Sequence, residues 1–239
     1  MRIRPVSALA PCLALGLALG GCGGGGGSSN GEAGKSAAQI IVDARAALTS
    51  ATSVHLTGSG TDMNFGQVTF DAHATQDGCT ASLKLQSGTL ALLRIGSAVY
   101  LKAPVAVLRA LAPAGISTSA LQLAAGSWLK LPLNLPQLQT VLRLCGVHNV
   151  DALLAPTGQL AKGAQSTTNG KKVIVINESA NGRAIGSIAV ATTGKAYPVE
   201  AIGGPGAPVQ GTALFSDWNA HVSLTAPNGA IDVTSLLKH

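Results

Sequence analysis

Apolar and polar side chains alternate with a period of two through most of this chain, in short runs separated by turn residues. Val54 and Leu56 alternate with His55 and Thr57; Val68, Phe70, Ala72 and Ala74 with Thr69, Asp71 and His73; Cys79, Ala81, Leu83 and Leu85 with Thr80, Ser82, Lys84 and Gln86. Successive residues of a strand point to opposite faces of a sheet, so each run predicts a strand with one apolar face. Gln76-Asp77-Gly78 and Ser87-Gly88 supply turns, and further strands are expected at Leu90–Ile95 and Val99–Lys102. Sequential short strands with tight turns make an antiparallel meander.

The period shifts at two places. Ser36-Ala-Ala-Gln39 reads as a capping box, after which Ile40, Ala44, Ala47, Leu48 and Ala51 share one face of a helix of about four turns. From Pro104 the chain predicts short apolar helices at Val105–Leu111 and Ser119–Ala124, then a strand-like Trp128-Leu-Lys-Leu131. A helix capped by Asn134 follows, with Leu135, Leu138, Leu142 and Cys145 on one face and Gly146 as its stop; Asn149–Leu154 adds another turn or two. The second half returns to strands at Gln159–Thr168, Lys172–Glu178, Ile185–Thr193, Tyr197–Ile202, Thr212–Trp218 and His221–Ala226, with Asn169-Gly170 and Asn181-Gly182 as hairpin turns. In Val173–Ile176 and Leu90–Ile95 apolar residues occupy both strand faces, so the sheet is expected to be covered on part of each side. The order is helix, meander, helical insert, meander, an α+β chain.

The first residues address the chain. Arg2 and Arg4 precede an apolar run from Val6 to Leu19, and small residues precede Cys22, the three parts of an export signal. The run, interrupted by Pro11 and Gly16, is short of the roughly 20 apolar residues that span a bilayer. Leu19-Gly20-Gly21-Cys22 resembles the lipobox of bacterial lipoproteins, whose cysteine receives lipid before cleavage makes it the first residue; Cys12 belongs to the signal core. Gly23–Gly27, Ser28, Ser29, Asn30 and Gly31 have too little apolar surface to fold and read as a tether. The expected organisation is a signal peptide over residues 1–21, a lipidated cysteine and tether over 22–35, and one domain over 36–239. Each buried acyl methylene contributes about 0.8 kcal/mol, so two or more chains would anchor the protein durably to the outer face of the cytoplasmic membrane.

Removing Arg2 and Arg4 from the 16 basic residues leaves 14 against 10 acidic ones, a net charge of +4 with no basic patch interleaved with aromatics. Nucleic-acid binding is therefore disfavoured. Cys79 and Cys145 remain in an exported domain and are expected to form a disulfide, two buried thiols being the alternative. No G-x-S-x-G elbow, H-E-x-x-H helix or phosphate-binding glycine loop occurs, so no catalytic residues are expected. His55, His73 and His221 fall on polar strand positions and read as solvated; Cys145-Gly-Val-His148 is too small a set for a structural zinc, and neither metal nor cofactor is expected. Trp128, Trp218, Tyr100, Tyr197 and Phe215, dispersed among alternating strands, read as packing residues.

The lipobox and glycine tether, the opening helix before Ser53-Val-His-Leu56, Ala98-Val-Tyr-Leu-Lys102, Gly126-Ser-Trp128, Tyr197-Pro198 and Phe215-Ser-Asp-Trp-Asn219, in that order, resemble actinobacterial lipoproteins of the LppX and LprG type. The resemblance covers about residues 36–237, and the Cys79/Cys145 pair departs from it. It implies a LolA-like fold: a curved antiparallel β half-barrel with helices covering the concave face over an apolar cavity. It also implies a non-enzymatic carrier of acylated lipid or glycolipid between cytoplasmic membrane and outer envelope, working with an envelope transporter. On this reading Val54, Leu56, Val68, Phe70, Leu83, Leu85 and Leu92 line the cavity beneath a lid carrying Val105, Leu108, Leu111 and Leu121. Alternation alone leaves open a filled core, in which case the molecule is a surface interaction or sensor module. Volume separates the two: ligand pockets run about 300–1,000 Å³, and a lipid with several acyl chains needs the top of that range or more.

Overall fold

The computed structural model describes residues 28–233 except 63, 64, 113, 206, 208 and 209; Cys22, the signal segment and Gly23–Gly27 lie outside the described residues. Ser36 caps α1 (Ala37–Thr49) by accepting a hydrogen bond from the Gln39 amide. The capping box is only half used, because the Gln39 side chain donates to Asp43 rather than returning to Ser36. Ile40, Ile41, Ala44, Ala47 and Leu48 form the buried stripe of α1.

The first meander consists of β1 (Ser53–Asp62), β2 (Gly66–Thr75), β3 (Gly78–Leu85), β4 (Gly88–Ile95) and β5 (Ala98–Lys102). The insert carries α2 (Val105–Leu111), α3 (Thr118–Ala124), β6 (Leu129–Pro132), a 3₁₀ turn at Pro136–Leu138, α4 (Gln139–Leu142) and α5 (Val147–Leu153). The second meander is β7 (Gln159–Thr168), β8 (Lys171–Ala180), β9 (Arg183–Ala191), β10 (Pro198–Gly203) and β11 (Gln210–Ser216), and β12 (Ile231–Asp232) ends the described chain. Both meanders belong to one open, curved, 12-stranded sheet in the order β12-β6-β5-β4-β3-β2-β1-β11-β10-β9-β8-β7. They meet where β1 pairs with β11, from His55 opposite Ser216 to Thr61 opposite Gln210. Every strand pair is antiparallel except β12 with β6.

Directly opposed residues share a face, so the registers define rows across the sheet. Phe215, Leu56, Ala72, Ala81, Leu92, Leu101 and Leu129 make one row, and all are buried. Helices cover this inner face in two groups. Val107, Leu108, Leu111, Leu121, Leu138, Val141 and Leu142 pack on β2–β6, while α1 packs Ile40, Ile41 and Ala44 on Ile174, Ile176 and Val190. Val147, Val150 and Leu154 join Leu48, Val54, Leu56 and Phe215 between them. Arg45 of α1 makes a two-pronged ion pair with Asp151 of α5, both contacts 2.8 Å, and this partner raises the guanidinium pKa. The apolar residues expected on both faces are buried there: Val173 as well as Ile174, and Leu93 as well as Leu92.

Four sequence expectations are corrected. The helix over Leu135–Cys145 has α geometry only at Gln139–Leu142; Leu135, not Asn134, occupies the cap position before Pro136, and i→i−3 bonds from Leu144 and Cys145 tighten its end. His221–Ala226 is not a strand, because β11 and β1 already have partners on both edges. Instead it crosses the ends of β1–β3, with Leu224 near Gly78, before β12 joins β6. Trp218 lies beyond the end of β11 rather than in it. Residues 29–34, expected as part of a tether, are held to the domain: Ser29 bridges Thr193, Asn30 bonds Thr192 and Ala191, and a 3₁₀ turn at Glu32–Gly34 follows. Glu32 is buried there and accepts from Lys35, which also binds Asp43; these hydrogen bonds, that to Asp43 first, raise the Lys35 pKa, and Lys35 holds Asp43 below the usual carboxylate range.

Candidate functional site

Among the described residues, two cavities open between the covering helices and the sheet's inner side. The first, of about 350 Å³, lies beneath α2 and α3 at the β5–β6–β12 end of the sheet. Leu108 and Leu111 of α2, Leu121 of α3, Leu101 and Leu129 of the sheet, and Leu138 form its floor and walls, and all 15 of the described residues that line it are apolar. Pro104 starts α2 from an extended conformation, and Ser117 caps α3 by accepting from the Ala120 amide, so two short helices lie side by side as a roof. Leu123, Ile231 and Ile116 are 84%, 44% and 39% exposed, and all three line this cavity. Its mouth is therefore an apolar rim facing solvent.

The second cavity, of about 320 Å³, lies near the β1–β11 seam and is mixed in character. Leu56, Phe70, Leu144, Ile188 and Phe215 give it apolar walls, and Ser59, Arg143, Glu178, Ser187 and Gln210 add polar groups. Glu178 accepts from the amides of Thr157 and Gly158 and from the Thr157 hydroxyl at 3.1 Å, which fixes its carboxylate against the loop before β7. Arg143 is exposed.

The cavity residues expected from the sequence divide three ways. Leu108, Leu111 and Leu121 line the first cavity; Leu56 and Phe70 line the second. Val54, Leu83 and Leu92 are on the anticipated face but are packed into core clusters, and Val68 and Leu85 lie partly buried against one of them. These five line neither cavity, because helix side chains fill the space above the sheet's centre. Sequence reasoning missed Leu129, Leu131, Ile231 and Val233, which become lining only when β12 joins the sheet edge at β6. Leu123 carried a signal: a large apolar residue off the buried face of a short helix.

Cys79 in β3 is bonded to Cys145, joining the helical insert to the sheet. Tyr197 stacks on Trp218 at 4.2 Å, and Phe215 lies 6.2 Å from the same ring, so three of the dispersed aromatics form one packed group. Among the described residues no helix is long and apolar enough to cross a membrane.

An open curved antiparallel sheet with helices over its inner face and apolar space between the layers defines a LolA-like α+β half-barrel. Among solved structures the chain is similar to LprF from Mycobacterium bovis, with a TM-score of 0.51 and 15% identity over 85% of this chain and 100% of that one. It is equally similar to the lipoprotein LppX from Mycobacterium tuberculosis, with a TM-score of 0.51 and 14% identity over 78% of this chain and 97% of that one. At these identities the likeness is one of fold, and that fold is the one the order of sequence motifs indicated. No family model and no curated protein matches the chain.

Proposed function

We propose that this chain is a lipoprotein, anchored through Cys22 on the outer face of the cytoplasmic membrane, that takes up an acyl chain of an acylated lipid or glycolipid. The observation that carries the reading is the first cavity: a lining that is apolar at every described residue, with an apolar rim open to solvent. Such a lining suits a hydrocarbon tail, which can offer no hydrogen bond to a buried polar group. At about 350 Å³ this cavity lies near the bottom of the roughly 300–1,000 Å³ range of ligand pockets, short of the room that several acyl chains need. The ligand is accordingly one with a single inserted chain, its remainder passing out over Leu123 and Ile116. This volume supports one chain rather than the several-chain lipid considered from the sequence. The second cavity, with Arg143 and fixed Glu178 among apolar walls, suits an amphipathic portion of the same ligand class.

The test is native mass spectrometry with organic extraction on the chain purified from a lipid-rich actinobacterial host. Acylated lipid is expected at about one per chain for the wild type, and lost when Ala120→Trp or Ala124→Trp fills the cavity from positions where small residues line it. A wild-type chain that arrives without lipid and takes up none when offered overturns the carrier reading. The molecule then acts as the interaction or sensor module.

A further inference from the structure

The outer face of the sheet, opposite the cavities, carries a cluster that the proposed lipid function does not use. His55 in β1 stands directly opposite His73 in β2, and their rings stack at 4.0 Å with 7° between planes. Asp71 lies two residues before His73 and so on the same face. Asp217, just beyond β11, reaches in from the other side. His55 Nε2 lies 3.0 Å from Asp71 Oδ1, and His55 Nδ1 lies 3.1 Å from Asp217 Oδ2, which also accepts from the Ser216 hydroxyl at 3.2 Å. One ligand atom from each of His55, Asp71 and His73 falls within 4.8 Å of the others. The sequence alone marked these histidines as solvated; in the fold His55 is only 19% exposed at its side chain and held by two carboxylates.

Both ring nitrogens of His55 face carboxylate oxygens, yet a neutral imidazole has one N–H. With Nδ1–H donating to Asp217, the Nε2 lone pair points at an anionic oxygen, an arrangement that calls for a positive charge between them. A proton on Nε2 supplies one and leaves His73 unengaged. A divalent cation supplies it and also engages His73. We infer that His55 Nε2, a His73 ring nitrogen and the Asp71 carboxylate form a binding site for a zinc-like divalent cation, with water as fourth ligand and Asp217 as the outer carboxylate that fixes the His55 tautomer. Two imidazoles and one carboxylate suit zinc, whereas calcium and magnesium take oxygen ligands in larger number. Tetrahedral zinc with bonds of 2.0–2.1 Å sets ligand atoms about 3.3 Å apart, so the outermost of the three close by about 1.5 Å, and the His73 ring turns out of its stack on His55 to aim an in-plane lone pair at the metal. Such a cation clamps β2 to β1 and, through Asp217, to the end of β11, at the seam of the two meanders.

The full chain, stripped with chelator and dialysed against Zn²⁺, is expected to retain one zinc per chain by elemental analysis and to gain thermal stability. His55→Gln and His73→Gln abolish both effects without altering the far-ultraviolet circular dichroism, and Asp217→Asn weakens binding about tenfold, as loss of an outer-shell carboxylate does. Co²⁺ in place of zinc gives visible d–d bands without a thiolate charge-transfer band. The site is overturned if the wild type retains no zinc, or if the His55→Gln/His73→Gln double variant retains as much as the wild type, which would put the metal on other histidines. Should a histidine variant lose its fold, the Asp71→Asn chain and the Co²⁺ spectrum of the wild type decide the matter.

Discussion

Gly58 sits in β1 where the Phe70 ring crosses from β2. A Cβ there would lie 2.6 Å from Phe70 Cζ and 2.1 Å from the Thr212 carbonyl oxygen on β11, so no other residue fits without moving a strand. The glycine thus does two things: it lets β11 approach β1 at the seam, and it makes room for the ring that walls the second cavity. Gly58→Val is expected to destabilise the protein by about 1–3 kcal/mol, the usual cost of overpacking, read as a lower urea midpoint. A midpoint equal to wild type would show that the seam yields easily and that Gly58 is not required for its close approach. The Arg45–Asp151 pair is a different kind of residue-scale contact. Its two parallel bonds fix the orientation of α1 against α5 more than they add stability, since the Arg45 side chain is 37% exposed and screened by water.

At the scale of elements, the insert is attached to the sheet by packing and by the Cys79–Cys145 bond, which closes a loop of 66 residues. The chain-entropy model assigns such a loop about 4 kcal/mol, so the Cys79→Ser/Cys145→Ser double variant is expected to unfold at clearly lower denaturant. Hydrogen exchange should quicken in residues 136–153 more than in β3. Uniform quickening would instead mean that the bond stabilises the whole domain and not the docking of the insert. How far these elements could be read from sequence follows from what fixes each one. β7 and α2 have the anticipated bounds, because Asn169-Gly170 sets the hairpin with both residues at positive φ and Pro104 sets the helix start. The strand face of Val54, Leu56, Phe70 and Leu83 was legible from local alternation. The segment after β11 was not, because its apolar alternation matches a strand while the edges beside it are already taken. Likewise Leu108, Leu111 and Leu121 were legible as a lid, whereas Ile231 became part of the site only through long-range pairing of β12 with β6.

At the scale of the whole molecule, one sheet carries two helical covers, α1 with α5 over one half and α2–α4 over the other, and the empty apolar volume under α2 and α3 lies between a cover and the sheet. A ligand filling that volume contacts both layers and is bound by the folded chain alone, so on the proposed function its binding must stabilise the fold. At a free concentration of 100 times Kd, the linkage amounts to about 2.7 kcal/mol. A domain of this size shifts by about 2–4 °C per kcal/mol. Delipidated protein given a saturating single-chain acyl ligand is therefore expected to gain roughly 5–10 °C in Tm, and Ala120→Trp, with the cavity already filled, is expected to show a higher starting Tm and little further gain. The second half of this expectation separates site from surface: an acyl chain adsorbed on exposed Leu123 and Ile231 would stabilise both proteins equally, while one inserted beneath α2 and α3 must compete with the indole for the same space.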